Sequence, residues 1–340
     1  MIREALARAV EGRNLSHADM KAAMQQVMQG EATPAQVAGL LIALRMKGET
    51  VDELTAATEV MRQFATPVEV SSDLRDQLID TCGTGGDGKG LFNVSTAVAF
   101  VVAAAGGRVA KHGNRSVSSR CGSADLLEAA GVKIELGPEA VARCIEEIGV
   151  GFMFAPIYHS AMKHAIGPRK EMGVRTLFNL IGPLTNPAGA SNQLMGVFSA
   201  DWLEKIAEVL NRLGTTHALI VHSEDGLDEI SVAAPSQVTE LKEGLLRSYS
   251  INPQGLGLGH ESLSPLQVND VQESLALVEQ ALTGQPGAAR DIVVLNAGAA
   301  LLVAGQAEDL KQGVEQAVAA VENGAAAEKL QALAKLSQSL

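Results

Sequence analysis

LIDTCGTGGDG (residues 78–88) runs from an aliphatic strand straight into a glycine loop, and the loop leads through Asn93-Val94-Ser95-Thr96 into a helix. Leu78 to Cys82 has the length and apolar content of a buried strand. The glycines that follow permit positive φ and close backbone approach. Successive N–H groups can therefore face one anion, with the partial positive charge of a helix N-terminus behind them. Taken alone, the loop admits a second reading, a tight strand-to-helix turn capped by Ser95 or Thr96. It is not a P-loop, because no Lys-Ser or Lys-Thr pair follows the last glycine. Gly83, Gly85 and Gly88 keep a G-x-G-x-x-G register, yet the helix starts late and the next strand ends in Lys111 rather than a ribose-binding carboxylate. A dinucleotide fold is therefore disfavoured.

Working outward, Ser95 to Ala105 reads as a helix, Arg108 to Lys111 as a second strand, and Ala124 to Ala130 as a second helix closed by Gly131. The second strand ends in Lys111-His112-Gly113-Asn114-Arg115, followed by Ser116, Ser118, Ser119, Arg120 and Ser123. Ligands of parallel sheets bind at the carboxyl ends of strands, which puts this cluster beside the glycine loop. Lys, Arg, serine hydroxyls and glycine amides are the groups that hold a diphosphate. Alone the run also fits a solvated basic loop; beside the first loop, the phosphate reading is preferred.

The rest of the chain bounds this reading. With 340 residues, 46% hydrophobic content and only 3% aromatic residues, the composition suits helices packed on aliphatic strands. The net charge of -12 repels nucleic acid and anionic membranes, so a polyanionic ligand must be caught by local cations. Cys82, Cys121 and Cys144 show no C-x-x-C spacing, which argues against a disulfide framework or structural zinc and for a reducing cytoplasm. Arg3, Glu4, Arg8 and Glu11 are wrong for the apolar core of a secretory signal, and runs such as Ala97 to Gly107 fall short of a membrane span. The chain is expected in solution in the cytoplasm.

Residues 1 to about 65 read as helices. Ser16 with Asp19 and Thr50 with Glu53 stand at the capping-box offset, and Thr33-Pro34 reads as an N-cap before a helix-opening proline. Thr66-Pro67 and Ser71-Ser72 then mark a boundary. Beyond it, Val150 to Phe154 and Leu219 to His222 read as buried strands, and Asp201 to Leu213 and Lys311 to Asn323 as helices. The expected fold is α/β, a small N-terminal helical domain plus a larger α/β domain with a central, mainly parallel sheet. The expected boundaries are residues 1–70 for the helical domain, with a return segment near 165–190, and residues 71–164 and 191–340 for the α/β domain. The run Gly255 to Gly259 reads as a flexible connection.

GTGGDG, N-x-S-T, KHGNR and S-S-x-x-G-S-A-D, in this order, resemble the anthranilate phosphoribosyltransferases. The resemblance continues through Met162-Lys163-His164, Gly167-Pro168-Arg169 and residues 178–187 to Gly226-Leu227-Asp228-Glu229, and the helical start is similar too, so it spans the chain. It implies a nucleoside phosphorylase/phosphoribosyltransferase-like fold, and transfer of the phosphoribosyl group from phosphoribosyl diphosphate to the amine of anthranilate in tryptophan biosynthesis. It implies donor contacts from the amides of Gly83, Gly86 and Asp87 and from Ser95. Asn93, Val94 and Thr96 would enclose the donor together with the run Lys111, His112, Gly113, Asn114, Arg115, Ser116, Val117, Ser118 and Ser119, and Ser123 would add a contact. It implies Mg²⁺ at Ser95, Asp228 and Glu229, and an acceptor held by Gly83, Asn114 and Arg169, with Arg175 a weaker candidate for the acceptor region. It also implies a homodimer through the helical part.

Two adjacent carboxylates in a loop, and an arginine beside Lys170 and Glu171, read equally well as solvated surface without the resemblance. No residue demands the role of strong general base; His112 is the candidate to take a proton late. Leu91 and Cys121 stand where this family commonly has hydroxyl residues. Two rival readings remain at this point. One is a pyrimidine nucleoside phosphorylase; the other is a non-catalytic nucleic-acid-binding relative, which the net charge and the lack of a basic-aromatic stripe oppose.

Overall fold

The chain opens with helices Ile2–Val10, His17–Gln29, Pro34–Lys47 and Val51–Phe64, whose starts are written in the sequence. The structure is a computed structural model and describes residues 1–115 and 121–340. Ser16, Thr33 and Thr50 each accept a hydrogen bond from the backbone N–H three residues on. Gln36 and Glu53 return the bond to the N-cap backbone, completing two reciprocal caps. Asp19 does not; its carboxylate takes Arg8 and the Ser16 hydroxyl instead.

Glu53 does more than cap. It accepts from Leu15 N at 2.8 Å and pairs with Lys47 Nζ at 2.8 Å, and the two side chains are only 1% and 4% exposed. One buried carboxylate thus ties the first interhelical loop to the ends of two helices. Helices Lys163–Met172 and Leu177–Ile181 return to this bundle, with Ala165, Leu177, Phe178 and Ile181 in the same core as Leu40 and Leu44. Gly30 lies under the His164 ring, where a Cβ would come within 2.5 Å.

Seven strands among the described residues form one sheet: β1 (Leu78–Gly83), β2 (Arg108–Gly113), β3 (Val150–Phe154), β4 (Asn192–Gly196), β5 (His217–Ser223), β6 (Ser236–Lys242) and β7 (Leu245–Ile251). Their order is β3-β2-β1-β4-β5-β6-β7, parallel through β5 and antiparallel from β5 to β7. The sheet therefore reverses direction of growth at β1 and β4, the place where open parallel sheets bind ligands. Period-two alternation sends Leu219 and Val221 into one core and Ala218 and Ile220 into the other. The first core is completed by helices that include Val94–Ala104 and Ala288–Val303. The second is shared with helix Leu203–Arg212 and the N-terminal bundle. Val94–Ala104 lies among other helices and the sheet, which is why it is apolar on nearly every side.

Several expectations shift. β1 and β2 run on to Gly83 and Gly113, so His112 is a strand residue. The following helix begins at Val94 behind Asn93, which leaves Ser95 and Thr96 inside its first turn rather than capping it. β4, central in the sheet, escaped the sequence reading because it begins with Asn192 and Gln193. Both amides are buried and satisfied, Asn192 by the Leu78 carbonyl at 3.1 Å and Gln193 by the Pro183 carbonyl at 2.6 Å. The β6–β7 hairpin, turning at Glu243 and Gly244 with φ of 49° and 82°, was also unread. Gly255 to Gly259 is no loose connection: Pro253–Leu256 form a 3₁₀ turn and Leu258 is buried. No helix of the described residues is long and apolar enough to cross a membrane.

Because removing one partner of a buried ion pair strands the other charge, Glu53→Ala is expected to destabilise the protein by about 3–5 kcal/mol. A urea unfolding midpoint close to that of the unsubstituted protein would refute this.

Candidate active site

The glycine loop owes its shape to the segment that follows β5. The Asp228 carbonyl oxygen lies where a Cβ on Gly196 would be, 1.5 Å from the ideal position, and the Asp228 carboxylate lies 2.7 Å from a Cβ built on Gly83. Glycine at the ends of β1 and β4 lets this segment cross the strand ends. Asp228 Oδ2 then accepts the Gly85 N–H at 2.8 Å. Gly85 and Gly86 take φ of 64° and 78°, which few other residues tolerate. Thr84 N donates to the Gly196 carbonyl at 2.9 Å, and Thr84 Oγ1 accepts from Phe198 N at 3.0 Å, locking the loop to the end of β4.

A polar cavity of about 370 Å³ opens over this loop, and Gly86, Ser95, Lys111, Asp228 and Glu229 all line it. Gly86 and Lys111 thus share one cavity. Lys111 is buried, and its ammonium donates to the Thr81 carbonyl and, at 3.3 Å, to Ser95 Oγ. Burial pulls its pKa down while the charge of Asp80 opposes that shift. Asp80, pushed up to about 6 by burial despite Lys111, accepts from Asn186 Nδ2 at 2.7 Å and from His112 N at 3.3 Å. Neither Asp80 nor Asn186 was singled out in the sequence, although an acid inside an aliphatic strand is itself a signal.

Burial raises Asp228 to about 7, with the Asp87 charge adding to the rise, and raises Glu229 well above the carboxylate range, with Asp228 adding there. Glu229 also takes a backbone hydrogen bond from Ser95. Crowded carboxylates beside a hydroxyl form a hard oxygen set of the kind magnesium takes. A divalent cation would relieve the mutual repulsion that now favours their protonated forms.

Asn93, Val94, Thr96, Arg115 and Ser123 line the same cavity, with several of their side chains engaged by neighbours. Asn93 spends its side chain on the Cys121 carbonyl, at 3.2 Å, and on the Ser274 hydroxyl, at 2.8 Å, so it anchors the loop to helix Val271–Leu282. Val94 is buried, and Thr96 Oγ1 is buried with no hydrogen-bond partner among the described residues. The Arg115 guanidinium pairs with Glu128 and Asp125, at 2.9 and 3.1 Å, on the helix starting at Ser123. Ser123 Oγ donates to the Asn114 carbonyl at 3.4 Å. Ser116, Val117, Ser118 and Ser119, like Arg120, lie outside the described residues.

A second cavity of about 500 Å³ adjoins the first, sharing Gly83, Thr84, His112, Gly113, Asn114 and Asn179, and runs toward the return segment. Its walls include Met61, Pro156, Ile166 and Phe178, and Arg169 lies over the Phe178 ring at 5.1 Å. Burial lowers the pKa of Arg169, and no carboxylate among the described residues pairs with it. Arg175 lines the polar cavity and not this one, which separates the two arginines that the sequence grouped together. The rings of His112 and His159 lie 4.9 Å apart, tilted by 59°, on the wall of the second cavity. Burial drives their pKa down to about 3 and about 4, and the ring of His112 is also opposed by its neighbour and by Lys111. His112 Nε2 has no hydrogen-bond partner among the described residues. His159 was missed in the sequence because nothing in the local pattern distinguishes it from a structural histidine.

Residues 3–65 match the helical bundle domain, and residues 75–327 the a/b domain, of the glycosyl transferase family. The chain is 61% identical over 333 residues to the anthranilate phosphoribosyltransferase of Thioalkalivibrio sulfidiphilus, covering 98% of both chains. It is 56% identical to that of Methylococcus capsulatus, covering 99% of this chain and 98% of the other. A solved structure of the Thermus thermophilus enzyme superposes with a TM-score of 0.92 at 44% identity, over 98% of this chain and 99% of that one. The Saccharomyces cerevisiae enzyme, in complex with PRPP and Mg, shares the fold with a TM-score of 0.89 at 23% identity, over 100% of this chain and 98% of that one.

The histidine pair makes a pH prediction. Both rings have folded pKa values below the ordinary 6.5, so the unfolded chain binds more protons and stability is lost as pH falls below 6.5 toward 4. Each ring should cost roughly 1–2 kcal/mol by about pH 5. The stability of His159→Gln should therefore fall less steeply between pH 7 and pH 5; parallel curves would contradict it.

Proposed function

We propose, from the premise that this chain belongs to the anthranilate phosphoribosyltransferase family, that its two adjoining cavities divide the substrates, the donor in the polar one and the acceptor in the other. The reaction itself is the family's: the phosphoribosyl group passes from phosphoribosyl diphosphate to the amine of anthranilate, and diphosphate leaves, in tryptophan biosynthesis. The observation that carries the division is the meeting of both cavities at Gly83 and at His112 to Asn114. Neither the phosphorylase reading nor the nucleic-acid reading finds support among the relatives.

In this reading the amides of Gly83, Gly86 and Asp87 and the Ser95 hydroxyl receive the diphosphate, and Lys111 supplies positive charge through its bond to Ser95. Thr96 Oγ1, buried without a partner among the described residues, gains one from the donor. Asn93, Val94, Gly113 and Ser123 shape the walls, and Arg115 contributes backbone while its side chain stays with Glu128. Asp228, Glu229 and Ser95 would hold magnesium, which when bound neutralises charge gathering on the departing diphosphate. The PRPP and Mg of the yeast complex support this assignment. The 4-fluoroanthranilate bound to the same yeast enzyme, as an analogue of the acceptor, supports anthranilate as the acceptor.

Arg169 would clamp the acceptor carboxylate, its guanidinium lying over Phe178, while Asn114 and Gly83 direct the amine at the anomeric carbon. The nitrogen lone pair forms the new bond, the bond to the diphosphate oxygen breaks with its electron pair, and the nitrogen sheds one proton to diphosphate or water. His112, with its pKa near 3, is a weak base at neutral pH, so positioning and electrostatics carry the rate. We assign residues 1–70, with the return segment near 165–190, to the helical side and the remainder to the α/β side. We also place the enzyme in the cytoplasm as a homodimer, which light scattering tests.

The decisive assay is loss of anthranilate fluorescence on adding phosphoribosyl diphosphate. It should require magnesium and stop with a chelator; turnover in metal-free buffer would refute the metal assignment. Arg169→Ala should weaken apparent anthranilate affinity about 10- to 100-fold. An unchanged value removes the clamp. His112→Ala should retain measurable turnover, and a loss as complete as that on removing magnesium would make His112 essential.

A further inference from the structure

Among the described residues that line the polar cavity, the cations are Lys111, Arg115 and Arg175. Lys111 is buried and committed to the Thr81 carbonyl and Ser95. Arg115 is neutralised by Glu128 and Asp125. Arg175, unlike the buried Lys111, is exposed, and no carboxylate among the described residues pairs with it. A chain of net charge -12 that admits a diphosphate needs cationic donors free to meet it.

Arg175 is mounted for that task. Its guanidinium stacks on the Phe198 ring at 4.3 Å, which fixes the plane of the fork without using its N–H groups. One donor is engaged, by the Gly86 carbonyl at a long 3.3 Å. A Cβ on Gly86 would sit 3.7 Å from both Cδ and one terminal nitrogen, within ordinary contact, so the guanidinium lies directly against the loop. The residue belongs to the return segment, and Arg45 of the helical bundle donates to the Arg175 carbonyl. Arg175 therefore spans the cleft from bundle to glycine loop.

We propose that Arg175 is a donor-binding residue, exchanging the Gly86 carbonyl for an oxygen of the diphosphate and so coupling occupancy of the glycine loop to the position of the return segment. A weak bond from a cation to a neutral carbonyl gives way to a charge-assisted one with an anion, so the exchange favours the bound state. The same return segment carries Arg169, which links the donor contact mechanically to the acceptor cavity. The inference rests on the proposed division of substrates and adds a residue to its donor side.

The test compares the unsubstituted enzyme with Arg175→Ala and Arg175→Lys, measuring both KM values and the calorimetric affinity for inorganic diphosphate with magnesium. Arg175→Ala should weaken diphosphate binding and raise the donor KM by about tenfold or more, since a charge-assisted contact is lost. Its anthranilate KM at saturating donor should change far less, and Arg175→Lys should recover part of the donor affinity. Diphosphate affinity unchanged in Arg175→Ala, or equal rises in both KM values, would reduce Arg175 to a structural latch and overturn the proposal. Failure of the unsubstituted enzyme to turn over these substrates would instead refute the underlying functional reading.

Discussion

The site depends on one close approach, that of the Asp228 backbone to the carboxyl ends of β1 and β4. A side chain at Gly196 would occupy the Asp228 carbonyl oxygen, and one at Gly83 would meet its carboxylate. With glycine at both positions the segment after β5 lies directly over the strand ends, and its carboxylate holds the glycine loop by Gly85. The loop's amides and the acidic pair Asp228–Glu229 are thereby parts of one assembly. Moving either moves the other.

Charge is arranged around that contact in opposing layers. Lys111 and Asp80 lie buried under the loop, each shifting the other, and Asn186 satisfies the rest of the carboxylate. Above them Asp228 and Glu229 crowd together at raised pKa, beside the loop meant for an anion. Such a layout is unfavourable for a bare diphosphate and favourable for one that arrives with a divalent cation. On the far side of Gly83 the second cavity is lined by aliphatic and aromatic groups, two histidines of lowered pKa, Lys163, and an arginine with no carboxylate partner among the described residues, which suits a flat acid.

Residues 163–181 join these regions. They leave the α/β part after β3, complete the core of the N-terminal bundle, and carry Arg169 into one cavity and Arg175 into the other. The bundle is consequently a wall of the active site, and the buried Lys47–Glu53 pair that secures it bears on the site at a distance.

The sequence by itself determined the local events, because each is encoded within a few residues. Reciprocal caps at Thr33 and Thr50, a strand running into a glycine loop, and a basic strand end at Lys111 follow from propensity, hydrogen-bonding capacity and periodicity. Family motifs extended that legibility to Asp228, Glu229 and Arg169. Only tertiary structure decided which groups are spent and which are free. Asn93 and Arg115 line the polar cavity with side chains already engaged by Ser274 and Glu128, whereas His159, which carries no local mark, and Arg175, which the sequence grouped with the acceptor, line the acceptor-side and polar cavities respectively. β4 was hidden for the same reason, since its buried amides are polar in sequence and satisfied only by carbonyls far along the chain. A side chain's partners are fixed by contacts distant in sequence, and no local pattern records them.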